Sequence, residues 1–117
     1  MEATIQKAKQ GVRHYLELKG YEILEEGWCH GKDSMDFIAE DGDGALAFID
    51  CEVNSNAGEG IPERAPDRKA FERIAAAYLA ESDLSCIEVR YDNVGVLIIG
   101  ESRALIRHHI NAITPLG

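Results

Sequence analysis

Residues 35–54 read MDFIAEDGDGALAFIDCEVN, two apolar segments on either side of an Asp-Gly-Asp-Gly sequence. Asp-Gly pairs tolerate the positive φ angles of tight turns, so residues 41–44 predict a β-hairpin. Its two strands are predicted over residues 35–40 and about 46–54. Because hairpin strands are neighbours in a sheet, the start of the first strand and the end of the second should lie close together.

The second strand of this hairpin has one apolar face and one mixed face, since successive side chains point to opposite sides of a strand. The apolar face carries Ala47, Ile49, Cys51 and Val53 and is predicted core. The other face passes from apolar to acidic and polar residues: Leu46, Phe48, Asp50, Glu52 and Asn54. This change indicates a sheet that is covered by helices and opens into a cleft at its end. An edge strand that emerges into solvent would give the same pattern.

Three carboxylates form the candidate site. Asp50 and Glu52 share one face, and the hairpin can bring Asp36 alongside them. Clustered carboxylates repel one another unless one keeps its proton or a divalent cation neutralises them. The pattern therefore predicts a divalent-metal site formed by Asp36, Asp50 and Glu52.

Helices and another strand are predicted on either side of the hairpin. Apolar residues at helical spacing predict a first helix over residues 3–19, which Gly20 ends. A strand is predicted over residues 21–28. Residues 54–65 form a long loop, and a second helix is predicted over residues 66–81.

The C-terminal part is predicted to contain two more strands and a helix. The strands cover residues 86–91 and 94–99 and are joined across positions 92–93. A last helix, which Ser102 can cap, is predicted over residues 103–113, with His109 partly buried beside its apolar stripe. The resulting order is αβββαββα, a mixed sheet with helices packed on it.

Composition predicts one globular domain in the cytoplasm. A chain of 117 residues has room for one core, and 45% hydrophobic with 28% charged residues is typical of a folded protein. No apolar run could span a bilayer and no signal peptide is recognisable, so no membrane partner is expected. Cys29, Cys51 and Cys86 form no CxxC pair, which indicates reduced thiols.

The net charge of −9 is the main compositional argument against nucleic-acid binding, because phosphate neutralisation normally requires a basic surface. Basic residues nevertheless cluster within residues 64–73 and 103–109. Each cluster could be a phosphate-facing stripe or an ordinary solvated helix face.

Several short motifs follow one another at characteristic spacings. They are YLELKGY at residues 15–21, MDFIA at 35–39, FIDCE at 48–52, RYD at 90–92 and HINA at 109–112. With these motifs in this order, the chain resembles the YraN-like family, an uncharacterised bacterial group of the PD-(D/E)XK nuclease superfamily. The corresponding family motifs after the first are EIDLI, FVEVK, RFD and a closing NAF helix.

This resemblance implies a restriction-endonuclease-like α/β fold with an αβββαβ core over residues 1–117. It also implies that Asp36 and Asp50 bind Mg²⁺ or Mn²⁺, which polarises the scissile phosphate and activates a water. The family's lysine, two residues after the second carboxylate, would position that water, but Glu52 stands here. Some restriction enzymes of the superfamily use an acidic residue at this point. A shifted alignment places Asn54 there instead, and both alignments lose the lysine.

The chain departs from the family at three further positions. They are Ser34 in place of an acidic residue, Asn54 in place of an arginine, and Lys9 where many members carry a helix glutamate.

The second predicted helix has two basic residues that are candidates for nucleic-acid binding. Lys69 points away from the sheet-facing stripe, which favours a surface role. Arg68 is better placed to contact a phosphate or a carboxylate, or to pair with Glu72 or Glu63. Arg90 and Asp92 are predicted to form an ion pair, with support of the acidic cluster as the alternative.

Two functions are consistent with these observations. The first is a magnesium-dependent nuclease acting on DNA or RNA, with Glu52 also serving as general base. The second is a catalytically inactive nuclease-fold protein whose acidic surface binds a basic partner. A homodimer is compatible with the first, since duplex-cutting nucleases often pair.

Overall fold

The computed structural model describes residues 2–62, 65–83, 88–101 and 103–113. The elements of these ranges are α1 Glu2–Leu18, β1 Glu22–His30, β2 Asp33–Glu40, β3 Ala45–Asn54, a short 3₁₀ helix Ala57–Glu59, α2 Arg68–Glu81, β4 Glu88–Ile99 and β5 Arg103–His109. The predicted α/β fold and its αβββαβ core are confirmed. Within the described ranges, no helix is both long enough and apolar enough to cross a membrane.

The strands form one mixed sheet in the order β1-β2-β3-β4-β5. The β3–β4 pair is parallel, and the other neighbours are antiparallel. Strand β3 is therefore central, and the alternative that it is an edge strand is wrong. Helices cover both faces of the sheet. The buried residues on the α1 side include Val12, Leu16, Phe37 and Ile49, and those on the α2 side include Ile38, Phe48, Ile74 and Tyr78.

The turn between β2 and β3 matches the hairpin prediction. Gly42 and Gly44 have φ angles of 91° and 99°, a region that disfavours other residues. The Asp41 carboxylate accepts hydrogen bonds from the backbone N–H groups of Asp43 and Ala45, at 2.7 and 3.1 Å. These contacts explain why this sequence turns here.

The prediction of two strands joined across Asp92 and Asn93 is wrong. These residues lie inside the single strand β4, where both are buried. Asp and Asn favour turns because their side chains can bond the local backbone. Here Asp92 instead accepts hydrogen bonds from distant residues, so the strand continues. Cys86, at the start of the predicted strand, lies outside the described residues.

The prediction of a last helix is also wrong, because residues 103–109 form β5, an edge strand paired with β4. Gly100, with a φ of 71°, lies in the connection between the two strands. The isoleucine spacing fits a helix locally, but pairing with the long strand β4 prevails. His109 is exposed, whereas the His108 side chain is 5% exposed. Ser102, the predicted cap, lies outside the described residues.

Candidate active site

Asp36 lies where strands β2 and β3 separate. Their pairing runs from Glu40 with Leu46 to Phe37 with Ile49, and within these described strands it goes no further toward Asp36. Beyond that point the N–H of Cys51 donates to Oδ2 of Asp36, at 2.8 Å. The carboxylate thus takes the place of a backbone acceptor and is held between the two strands.

The other oxygen of this carboxylate contacts a lysine from α1. Lys9 Nζ donates to Oδ1 of Asp36 at 2.7 Å. This hydrogen bond raises the pKa of Lys9 against the opposing effect of burial, and the charges of Asp36 and Asp50 add to it. Lys9 is therefore within electrostatic reach of both Asp36 and Asp50. The sequence prediction did not include Lys9 in the site.

Asp50 faces the opposite side of the sheet, toward α2. The hydroxyl of Tyr91 in β4 donates to Oδ2 of Asp50 at 2.9 Å, and Asn93 Nδ2 donates to that hydroxyl at 3.5 Å. Asp50 and Tyr91 line a pocket of about 380 Å³ beside the first turn of α2, where Lys32 and Asp67 also lie. The predicted cleft at the acidic end of β3 is therefore present.

Glu52 is half-buried and follows Asp50 on the same face of β3, opposite Gly95 of β4. Cys51, between the two acids, points to the apolar side and is buried. Burial raises the pKa of its thiol, and the charge of Asp36 raises it further. The thiol therefore stays protonated, which makes it a poor nucleophile.

Asp36 and Asp50 lie on neighbouring strands but have partners on opposite sides of the sheet, Lys9 of α1 for Asp36 and the pocket beside α2 for Asp50. Across residues 2–62, 65–83, 88–101 and 103–113, no three His, Cys, Asp or Glu side chains form a group that could hold a metal ion. Mg²⁺ is commonly held by only one or two carboxylates together with waters and substrate phosphates. Asp36 and Asp50 each accept a hydrogen bond that orients the carboxylate, from the Cys51 N–H and from the Tyr91 hydroxyl. The roles of Asp36, Asp50 and Glu52 as metal ligands stay predictions.

Comparison with known proteins now places the chain. The family model "Uncharacterised protein family UPF0102" matches residues 8–96. The chain belongs to this family. A UPF0102 protein of Chlorobaculum tepidum is 34% identical over 116 residues, covering 93% of this chain and 88% of that protein. Another, from Beutenbergia cavernae, is 34% identical over 97 residues, covering 80% and 81%. A third, from Chlorobaculum parvum, is 38% identical over 86 residues, covering 71% and 66%.

The predicted YraN-like resemblance is thus confirmed at the level of the UPF0102 family. Membership of the nuclease superfamily is compatible with the fold and stays a prediction. The matched segment begins one residue before Lys9 and ends one residue after Gly95. It includes Asp36, Asp50 and Glu52.

The two residues predicted to bind nucleic acid lie at the start of α2 in this UPF0102 chain. Arg68 and Lys69 are both exposed, so the predicted surface position of Lys69 is confirmed. Arg68 lines a second pocket together with Phe71 and Glu72. Glu63, the other predicted partner, lies outside the described residues. Binding of nucleic acid by Arg68 and Lys69 stays a prediction.

The predicted ion pair between Arg90 and Asp92 is confirmed, with Arg90 Nε at 3.0 Å from Oδ1 of Asp92. Asp92 is fully buried and also accepts from the Tyr21 hydroxyl, His108 Nε2 and the N–H of Asn111. Burial alone would raise the pKa of Asp92, but the hydrogen bonds from His108 and Arg90 lower it overall. Burial and the Asp92 charge raise the pKa of Tyr21 to about 12.

The hydrogen-bond network of Asp92 and the contacts of Asp50 lie on opposite faces of the same segment of β4. Arg90 also contacts the carboxylate of Asp41 in the β2–β3 turn. Asp92 lies between Tyr91 and Asn93, whose side chains reach toward Asp50 on the other face of the sheet. Support of the acidic cluster by this network, the alternative to a simple ion pair, stays a prediction.

Proposed function

We propose that this protein hydrolyses phosphodiester bonds of DNA or RNA with the help of a divalent ion, Mg²⁺ or Mn²⁺. The supporting observation is the arrangement of Asp36 and Asp50. They come from adjacent strands, each is oriented by a hydrogen bond, and Asp50 lines a pocket. In this proposal Asp36 and Asp50 hold the ion. When bound, the ion supplies the positive charge that polarises the phosphate and lowers the pKa of the attacking water.

The protein's own groups prepare the site before substrate arrives. The Cys51 N–H and the Tyr91 hydroxyl fix the two carboxylates, so less side-chain freedom is lost when ligands bind. Glu52, on the same face as Asp50, accepts the proton of the water as general base. Arg68 and Lys69 contact the phosphate backbone from the start of α2.

The test is a cleavage assay on single-stranded, double-stranded and branched DNA and RNA, with Mg²⁺ or Mn²⁺. Asp50→Asn and Glu52→Ala should each lower the rate by roughly 100-fold or more, because each loses a group proposed to act on the ion or the water. Asp43→Asn is the matched control, since Asp43 is an exposed carboxylate in the β2–β3 turn. Absence of cleavage, or equal cleavage by wild type and Asp50→Asn, would refute the enzymatic function.

A catalytically inactive binding module is the second candidate function. It is favoured by the ion pair between Lys9 and Asp36, because this pair neutralises one carboxylate of the site without a metal. In that case the acidic surface of a chain with a net charge of −9 would recognise a basic partner. Saturable Mn²⁺ binding without cleavage of any substrate would favour this candidate, with the ion in a structural or regulatory role.

A further inference from the structure

A separate set of reactive side chains lies on the α1 side of the sheet, where Tyr15, His108 and Asp92 form a chain of hydrogen bonds. The Tyr15 hydroxyl is 3.1 Å from Nδ1 of His108, and Nε2 of His108 is 2.8 Å from Oδ2 of Asp92. The His108 and Asp92 side chains are 5% and 0% exposed. Tyr15 borders the buried face of α1, because it lies about 60° round the helix axis from Val12.

The buried carboxylate fixes where the protons of this chain lie. Burial works against ionisation of Asp92, but its hydrogen bonds lower the pKa overall, so it is ionised and can only accept. Neutral His108 must therefore carry its hydrogen on Nε2, which leaves the lone pair of Nδ1 to accept from the Tyr15 hydroxyl. Burial and the charge of Asp92 raise the pKa of Tyr15, so this hydroxyl stays protonated until a base removes the proton.

A hydroxyl, an imidazole and a buried carboxylate in this order are the groups that activate a hydroxyl nucleophile. When the Tyr15 oxygen attacks an electrophile, Nδ1 of His108 can accept its proton, and the charge of Asp92 stabilises the resulting imidazolium. The Tyr21 hydroxyl and Arg90 also donate to Asp92. The carboxylate that orients the imidazole is therefore held from several directions.

An open pocket gives a small molecule access to the Tyr15 hydroxyl. Its volume is about 410 Å³, and Tyr15 and His108 both line it. Its charged side chains are two cations and two carboxylates: Lys19, Arg90, Asp41 and Asp43. The pocket therefore has no excess of positive charge to hold a phosphate or another multiply charged anion. A small neutral electrophile is the better match.

We propose that Tyr15 is an acyl-accepting nucleophile, with His108 as its base and Asp92 as the residue that positions His108. The substrate class is a small neutral carboxylic ester. The Tyr15 oxygen bonds to the carbonyl carbon while His108 takes the hydroxyl proton. The bond to the alcohol breaks, the alcohol leaves with that proton, and Tyr15 is acylated.

Hydrolysis of the acyl-tyrosine uses the same groups. A water adds to the acyl carbon and gives a proton to His108. The carboxylic acid departs, and the Tyr15 oxygen regains the proton from His108. These steps are independent of the proposed nuclease function, because the pocket lies on the opposite side of the sheet from the Asp50 pocket.

The test measures acetyl transfer from p-nitrophenyl acetate in the presence of EDTA, with N-acetyltyrosinamide as a free reference phenol. Nitrophenolate release gives the rate, and peptide mass spectrometry locates the acetyl group. At neutral pH, Tyr15 should be acetylated roughly 100-fold faster than the reference, which is the contribution of one positioned general base. A tyrosine that is merely buried, with a raised pKa, would react more slowly than the free phenol.

Three variants separate Tyr15 from other groups that react with esters. His14→Gln is the control, because His14 is an exposed imidazole on α1 next to Tyr15 in the sequence. It should leave the acetylation of Tyr15 unchanged. Tyr15→Phe should abolish the initial release of about one nitrophenolate per chain, and His108→Gln should slow acetylation roughly 100-fold.

The pH dependence of the wild type is a readout that a structural role of His108 would not change, and it does not require His108→Gln to fold. Acetylation of a free phenol accelerates as the pH rises toward about 10. Transfer through neutral His108 should instead level off once the imidazole has lost its proton.

Several results would overturn the inference. They are absence of acetyl-Tyr15, a rate no greater than that of the reference phenol, the pH profile of a free phenol, and an unchanged rate in folded His108→Gln. Reaction with p-nitrophenyl phosphate in preference to the acetate would refute the neutral ester as substrate class.

Discussion

Replacing Asp92 by asparagine should remove about 3 kcal/mol from the free energy of unfolding. Asp92 has no exposed surface and accepts five hydrogen bonds from four residues, two at Oδ1 and three at Oδ2. Asparagine has the same shape but only one oxygen. Whichever way the amide turns, at least two of the five N–H and O–H donors must therefore face an NH₂ group.

The magnitude follows from what the remaining partners can do. Loss of one member of a buried ion pair usually costs about 3–5 kcal/mol. Here Arg90 keeps Asp41 as a second carboxylate, and the His108 ring can change tautomer and accept from the amide. Because of these adjustments, we expect the loss of unfolding free energy to lie at the lower end of that range. For a chain of 117 residues, about 3 kcal/mol corresponds to a fall in Tm of about 12 °C.

The assay is urea and thermal unfolding followed by circular dichroism, with Asp43→Asn as the control. This control makes the same chemical change at an exposed turn position and should alter stability by less than about 0.5 kcal/mol. A loss below about 1 kcal/mol in Asp92→Asn, or equal losses in both variants, would refute the argument that the buried network stabilises the fold.

Three other predictions follow from the same structure. Folding lowers the pKa of Asp92, so the stability that its carboxylate gives the folded state is fully present above the unfolded pKa of about 3.9. This stability is lost as the pH falls through the lower pKa of the folded state. In urea unfolding at a series of pH values, Asp92→Asn should therefore lose less stability on acidification than wild type. A Cβ at Gly95 would lie 2.6 Å from the Pro62 carbonyl oxygen, so Gly95→Ala should lower the free energy of unfolding by about 1–3 kcal/mol. Gly11 lies in open space within α1, so Gly11→Ala should raise the free energy of unfolding by about 0.5–1 kcal/mol. Unfolding curves that rank the two variants in the opposite order would contradict this prediction. Tyr91→Phe removes the hydroxyl that orients Asp50 and should weaken Mn²⁺ binding about 10-fold while the protein stays folded. An unchanged Mn²⁺ affinity by calorimetry would show that this hydrogen bond does not contribute to metal binding.

The central part of the fold could be predicted from local patterns. Gly42 and Gly44 set the hairpin turn by their conformational freedom, and the alternation along residues 46–54 correctly separated the two faces of β3. The errors lie in β4 and β5, where non-local contacts decide. Asp92 behaves as a strand residue because Tyr21 and His108, far away in the chain, satisfy its carboxylate. No window of neighbouring residues contains that information.

The site was predictable only in part for a similar reason. The hairpin placed Asp36 near Asp50 in the sequence argument, and the structure brings both into electrostatic reach of Lys9. The signal for Lys9 was present in its helical spacing with Val12 and Leu16, since a charged residue on a buried stripe requires a partner. Tyr91 carried no such signal, because an aromatic residue in a strand is ordinarily core.

The parallel ladder between β3 and β4 has a consequence for how the chain folds. Ala45 pairs with Glu88 and Asn54 with Leu97, so every pair in this ladder closes a loop of about forty residues. The β1–β2, β2–β3 and β4–β5 hairpins join residues that are near in sequence and should form first. The two hairpin units then dock through the ladder. Asp50 should therefore gain its Tyr91 partner late in folding, and a chain with only the hairpins formed would lack the contact that orients this carboxylate.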